Sequence, residues 1–222
     1  MLHKKGIERR NKMIHAAVVL FLEKGYEKTT TACIAQAAGL SATSFFAAFS
    51  TKEELLLTLV KFMFSGQFLG AEQLSAFSDD PLVLYGIETG IQINITETSE
   101  ALREIYVAAY SLPSTSDYIY ATMADKIESI FGKYVPGGEK KDFYELEIAS
   151  GGIMRGFMAK PCDIYFTVEN KIKRFLDCSM RVYGVPDEKR EEVINTVLSL
   201  DLNAAAENII SKAIATAERG FE

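Results

Sequence analysis

A helical period returns from one end of this sequence to the other, and nothing strand-like interrupts it. From Ile14 the apolar residues Ile14, Ala17, Val18, Phe21 and Leu22 fall on one face of an amphipathic helix. Gly25 follows, where a left-handed C-terminal residue costs least. No stretch alternates apolar and polar residues between Asn-Gly or Asp-Gly turns. The expected fold class is therefore all-α.

Start and stop signals divide the chain further. Thr30 can cap a short helix through Ala38, rich in alanine, which Gly39 breaks. Ser41 can cap a second short helix, with Phe45, Phe46 and Phe49 as its apolar side. Ser50-Thr51-Lys52-Glu53 has capping-box spacing, with Ser50 as the cap and Glu53 reaching back, and announces a long helix from about Lys52. Asp80-Pro81 offers a cap followed by proline at the first helical position. Ser114 to Asp117 and Asp142 to Glu145 repeat the cap-plus-acid spacing, and Pro136-Gly137-Gly138 is a break. Helices are expected over 142–159, 165–183 and 187–219.

Composition excludes several classes. At 48% hydrophobic and 24% charged, the 222-residue chain reads as globular, one large domain or two small ones. No apolar run approaches the length of a membrane span, and the polar, basic N-terminus has no apolar segment behind it. The expected location is cytoplasmic, with no membrane partner. Cys33, Cys162 and Cys178 are odd in number and widely spaced, which gives no disulfide framework and no metal site. They are expected to be buried and inert. Both histidines, His3 and His15, lie near the N-terminus, and there is no Gly-rich phosphate loop or nucleophile elbow. We therefore expect no enzyme and no cofactor. The net charge of −6 is uneven: residues 1–52 hold eight Lys/Arg against three acids, and the remainder carries −11. A basic head on an acidic body suggests that only the head meets a polyanion.

That head contains two short helices joined at Gly39-Leu40, the arrangement of a helix-turn-helix whose second helix enters the major groove. The wider pattern is more specific. Ile14-His15-Ala16-Ala17, Leu20-Phe21, Gly25-Tyr26, Thr29-Thr30, Ile34-Ala35, Ala38-Gly39-Leu40-Ser41, Phe46, Phe49-Ser50, Lys52-Glu53 and Leu55 follow one another without a gap. This stretch, about 8–58, resembles the tetracycline-repressor (TetR) family. The resemblance implies a three-helix DNA-binding head over 1–51. It implies a helical ligand-binding and dimerisation domain over 52–222, joined to the head by the long helix. It implies a ligand-responsive transcription regulator, a repressor that a small molecule releases from its operator. The partners implied are a palindromic double-stranded DNA operator, an unidentified small-molecule effector and a second copy of the chain. The alternative is a helical protein-interaction or small-molecule-binding protein with weak or lost DNA binding.

By the same resemblance, the DNA-facing residues are Thr30, Ser41, Ala42, Thr43, Ser44, Phe46 and Lys52. Arg9 and Arg10 join Lys4 and Lys5 in a basic arm. The family usually has tyrosine at Phe46, often histidine at Ala48, and commonly basic residues near Ala32 and Ala42. Phe46 is expected to keep the packing and lose a phosphate hydrogen bond. Ala42 and Phe45 are left for thymine methyls, Thr43 and Ser44 for short polar contacts, and Lys52 and Thr30 for phosphate. Either specificity rests on apolar contacts and DNA shape, with the arm supplying affinity, or binding is weak and needs cooperative dimers.

In the body, Phe62, Gly66, Tyr106 and Tyr110 are the expected effector pocket, beside the distal half of a long helix that serves as a lever. Glu88 and Arg155 are isolated charges among apolar neighbours, each a candidate for a polar ligand or for the other. Gly86 and Gly90 mark either close helix packing or room for a ligand. The dimer contact is expected over about 142–183, where Gly151, Gly152 and Gly156 lie, with the segment after Pro186 as the alternative.

Overall fold

The computed structural model describes residues 2–74 and 78–219, with side chains described over 4–63 and 78–215. Helices α1 (Leu2–Lys24), α2 (Thr31–Ala37) and α3 (Ala42–Phe46) form the head. Then come α4 (Lys52–Leu74), α5 (Pro81–Thr98), α6 (Glu100–Ala109), α7 (Pro113–Phe131), α8 (Lys140–Ala159) and α9 (Val168–Val182). Two more, α10 (Asp187–Leu198) and α11 (Leu202–Arg219), close the chain. No strand occurs among the described residues, and no helix among them is long and apolar enough to cross a membrane.

The head packs Ile14, Phe21, Ile34, Phe45 and Phe49 together, and Leu55 and Leu56 of α4 close the same core. In the body, α5 is the axis: every residue from Tyr85 to Thr96 is buried, and α4 and α6 through α11 all pack against it. A helix with apolar residues on every face belongs in a core, and its few polar side chains find partners there. Gly86 and Gly90 allow that crowding. A Cβ at Gly86 would come within 2.6 Å of a Val197 methyl, and one at Gly90 within 2.7 Å of a Leu202 methyl. Close packing, not ligand space, is their reason.

The helix ends correct several expectations. Gly25 (φ 80°) and Gly39 (φ 70°) break α1 and α2 in the left-handed region, and Thr30 caps α2 through Cys33 N–H. Asp80 caps α5 through Leu82 N–H. The box before α4 is shifted by one residue, however. Thr51 accepts from Glu54 N–H, and Glu54 accepts from Ser50 N–H. Glu54, in the same first turn of α4, makes that reach as well, which leaves Glu53 for another task. At α8, Asp142 is the third helical residue and Glu139 the cap. The helix begins at Leu2 rather than near Ile14, so Lys4 to Arg10 are not an extended arm. The 165–183 helix starts only at Val168, because Asp163 ties residues 163–166 into a turn. The 187–219 stretch does hold more than one helix as expected, α10 and α11, parted at Ser199 to Asp201. Helix α6, capped by Ser99, had no expectation of its own.

Candidate functional site

The head presents α3 on a short, tightly set platform. Phe45 is fully buried beneath it, so it cannot reach a thymine methyl as expected. Phe46 does the reverse: it is 61% exposed, with only an edge-on contact to Phe45. It has not kept a packing role, and an exposed ring joins Ala42 and Thr43 on the outer face of α3. Ser41 makes no cap to the backbone. Its hydroxyl instead lies 2.9 Å from both the Thr43 and Ser44 hydroxyls, a small chain of donors and acceptors. Thr30 is exposed at the start of α2, beside Cys33. Cys33 is exposed and Cys162 and Cys178 are half-buried, so none of the thiols is buried as expected. The Thr30 hydroxyl holds the Cys33 thiol below its ordinary pKa.

The basic residues separate into two groups. Lys4, Lys5 and Arg9 are exposed on α1. Arg10 turns inward: it donates to the Ala48 carbonyl at 2.9 Å and the Thr58 hydroxyl at 3.0 Å. Its guanidinium also lies 4.1 Å from the Phe49 ring centre. It braces α1 against α3 and α4 rather than extending as an arm. Lys52 likewise donates to the carbonyls of Tyr26 and Thr29, at 2.9 and 3.1 Å, with its ammonium 4.0 Å above the Tyr26 ring. Two of its three N–H donors are thus committed to the head itself, and burial lowers its pKa. Beneath it, burial and then Glu53 and Glu27 push Tyr26 up to about 12.

Two carboxylates make long-range ties, one from the start of α4 to α7 and one from α6 to the head. Glu53, freed from capping α4, accepts from Ser114 N–H at 3.1 Å and the Ser114 hydroxyl at 2.6 Å, at the first turn of α7. Glu104 of α6 accepts from Glu27 N–H at 2.5 Å and fills the space beside Gly25, where a Cβ would collide with it. Both links join residues more than 60 apart in sequence, and no local pattern announces them.

The expected pocket residues are only partly together. Tyr106 and Tyr110 are buried, and Tyr110 donates to Gln92 Oε1 of α5 at 3.0 Å. Phe62 is half-buried on α4. Gly66, the fourth of the expected pocket residues, lies outside the residues whose side chains are described. Glu88 is buried, but its partner is Lys126 at 2.6 Å, not Arg155. Arg155 is exposed on the outer face of α8. The residues overlooked were Tyr85, Glu147 and Tyr183. Tyr85 hydrogen-bonds the hydroxyls of Ser150 and Ser179, and Tyr183 donates to Glu147 at 2.7 Å. Their signal was available: Glu147 is four residues from both Phe143 and Gly151, squarely on the buried stripe of α8.

Comparison with known proteins agrees with this geometry. Residues 13–59 match the model of bacterial regulatory proteins, tetR family. The chain is 37% identical over 73 residues to TcmR, a helix-turn-helix transcriptional regulator of Streptomyces glaucescens, covering 33% of this chain and 32% of TcmR. It is 24% identical over 184 residues to YuxN, a helix-turn-helix transcriptional regulator of Bacillus subtilis, covering 74% of this chain and 62% of YuxN. The chain thus spans less than two thirds of either curated relative. Its fold is that of RolR, solved with resorcinol as ligand, with a TM-score of 0.68 at 14% identity over 86% of this chain and 95% of that one. The chain thus carries, over residues 13–59, a segment that matches the tetR family of bacterial regulatory proteins, on an all-helical fold shared with RolR.

Proposed function

We propose that this chain is a DNA-binding transcription regulator that works as a homodimer and is released from a palindromic operator by a small molecule. The observation that carries the reading is the head. Its second helix is braced from below by Phe45 and from behind by Arg10, and it faces outward with hydroxyls and the Phe46 ring. Residues 1–51 form the reading head in this proposal, and 52–222 the effector and dimer unit.

The outer face of α3 offers no guanidinium for guanine, so base discrimination falls to Thr43, Ser44 and Phe46, and to the deformability of the site. Phosphate affinity falls to Lys4, Lys5 and Arg9, with Thr30 and Lys52 at the margin. An exposed Phe46 beside exposed Ala42 favours the apolar-contact reading over weak binding, because it sets apolar surface where thymine methyls would lie. For the second copy, we assign the outer face of α8 and the turn before α9. There Ile148 is 43% exposed, Gly152 and Gly156 face open space, and Ile164 and Tyr165 stand free.

The effector acts in the body, and Glu53 and Glu104 carry its effect to the head. A ligand can shift the equilibrium only if it binds the operator-incompetent state better. The bound resorcinol of RolR makes a small organic effector the natural counterpart here. A mobility-shift assay of the full chain against fragments of its own genome tests the reading. Retardation is expected near about 50 mM salt, falling steeply with added salt, and Phe46→Ala should weaken it. A chain that retards no fragment at low salt overturns it. Light scattering should show a dimer, and Ile148→Glu with Gly152→Glu should yield monomers.

A further inference from the structure

Glu147 stands apart from the other buried charges of the body. Glu88 pairs with Lys126, Lys171 with Glu97 and Arg190 with Asp177, at 2.6, 2.5 and 2.8 Å. Glu147 is 6% exposed, yet no cation pairs with it among the described residues. Its one hydrogen bond there comes from the Tyr183 hydroxyl, at 2.7 Å to Oε2. A carboxylate removed from water normally meets a cation or several N–H donors. Desolvation accordingly raises this carboxyl to about 7, against the pull of the Tyr183 hydrogen bond.

What surrounds it is aromatic. Tyr85 on α5, Tyr110 after α6, Tyr120 on α7 and Tyr183 after α9 all have hydroxyls raised by burial and then by the Glu147 charge, so the field of one carboxyl reaches all four. Phe131 and Tyr183 stack at 4.0 Å, and Tyr85 meets Phe131 edge-on at 5.0 Å. Tyr120 lies across Gly151, where a Cβ would come within 2.5 Å of its ring. It is half-buried while the other three are buried, so the cluster comes nearest to solvent there. The other charges near by are Arg155 and Asp117, which act on Tyr120 beside Tyr144 at that rim, and Glu88, which acts on Tyr85 and holds Lys126. Tyr106 acts on Tyr110 from α6. None of these supplies Glu147 with a positive partner.

We propose that this cluster is the effector subsite for an organic cation, an amine or quaternary ammonium on an apolar body, with Glu147 as its counter-charge and the tyrosines as its wall. The inference rests on the small-molecule reading above and adds the ligand's class. A cation supplies the missing partner, and tyrosine faces attract positive charge. A neutral ligand does neither. Entry requires the rings to part, and Tyr120, seated over a glycine at the rim, is the side chain that moves.

Binding of a cation requires the ionised carboxylate, which gives the test its signature. Calorimetry of the full chain with benzyltrimethylammonium, and with its neutral isostere neopentylbenzene, is run at pH 6, 7 and 8. The cation should bind about tenfold more tightly at pH 8 than at pH 6, following the ionised fraction of a group near 7. The isostere should bind more weakly and without pH dependence. Glu147→Gln should remove the preference and the pH dependence together, and Glu147→Asp should restore part of both. If the glutamine variant does not fold, the wild-type pH series and the aspartate variant decide. No cation binding, a cation no tighter than the isostere, or a pH-flat cation affinity overturns the inference. A mobility-shift assay in parallel separates the two readings. If the isostere releases DNA and the cation does not, this inference fails and the regulator stands. If the free chain retards no DNA, the regulator itself fails.

Discussion

Arg10 and Lys52 both belong to the basic head, and both turn their charge into it. Arg10 holds the Ala48 carbonyl and the Thr58 hydroxyl over the Phe49 ring, and Lys52 closes on the carbonyls of Tyr26 and Thr29. Their replacement should therefore act first on stability. Arg10→Ala is expected to cost about 1–2 kcal/mol in urea unfolding, from lost packing and orphaned acceptors. Exposed Arg9 should behave differently. Arg9→Ala should leave stability unchanged and reduce the slope of log affinity against log salt by about one unit, whereas Lys52→Met should reduce it by less. Equal slope changes for the two would place Lys52 on the phosphate after all. Glu147 makes a pH prediction. Its folded-state pKa, about 7, lies above the ordinary glutamate value of 4.5, so the native state binds the extra proton between those values. Stability from this group is then greatest below pH 4.5, is lost as pH rises through 7, and levels off above. The loss amounts to about 3 kcal/mol at 1.36 kcal/mol per unit. Wild type should thus lose stability relative to Glu147→Gln between pH 5 and pH 8, read from paired urea midpoints. Parallel curves for the two proteins would contradict the assignment.

Among the elements, α5 bears the tightest constraint, because its glycines meet side chains of α10 and α11 rather than water. Gly86→Ala and Gly90→Ala should each destabilise by about 1–3 kcal/mol through overpacking, despite alanine's better helix propensity. The two methyls they would strike belong to Val197 and Leu202, so Val197→Ala should rescue Gly86→Ala and not Gly90→Ala. Differential scanning of wild type, the three single variants and the two double variants checks this, and additive losses in Gly86→Ala/Val197→Ala would exclude the contact. The period and caps of most elements were legible because they depend on residues three or four apart. Thr30, Gly39 and Asp80 do what their types do anywhere. The failures are just as physical. Two acids follow Lys52, and only geometry decides that Glu54 closes the box while Glu53 leaves for α7. Residues 3–12 are polar apart from Gly6 and Ile7 and carry no apolar period, so only the docking of Arg10 on α4 shows that α1 starts there.

Across the whole molecule, Glu53 fixes the start of α4, next to the head, on Ser114, and Glu104 joins the body to the turn after α1. If these contacts relay the effector, Ser114→Ala with Glu104→Gln should leave effector affinity within a few-fold while reducing its effect on operator affinity. Titration calorimetry and mobility shift on the same protein would show the split. An unchanged response would move the relay to α4, whose start carries Lys52 and whose length passes along α5, α7 and α11. The sequence alone determined the all-helical class, the head with its turn at Gly39, and the family resemblance, because each is written in near neighbours. Only the tertiary structure decided which charges have partners. Glu88 and Arg155 drew attention because apolar residues adjoin them in sequence, yet neighbours on a helix lie three or four residues away. One of the pair met Lys126 and the other met solvent. Glu147 passed unnoticed in a run of acids, and its isolation appears only when α5, α7, α8 and the end of α9 close around it. A charge becomes unusual through what folding brings to it across long stretches of chain, and no local pattern encodes that.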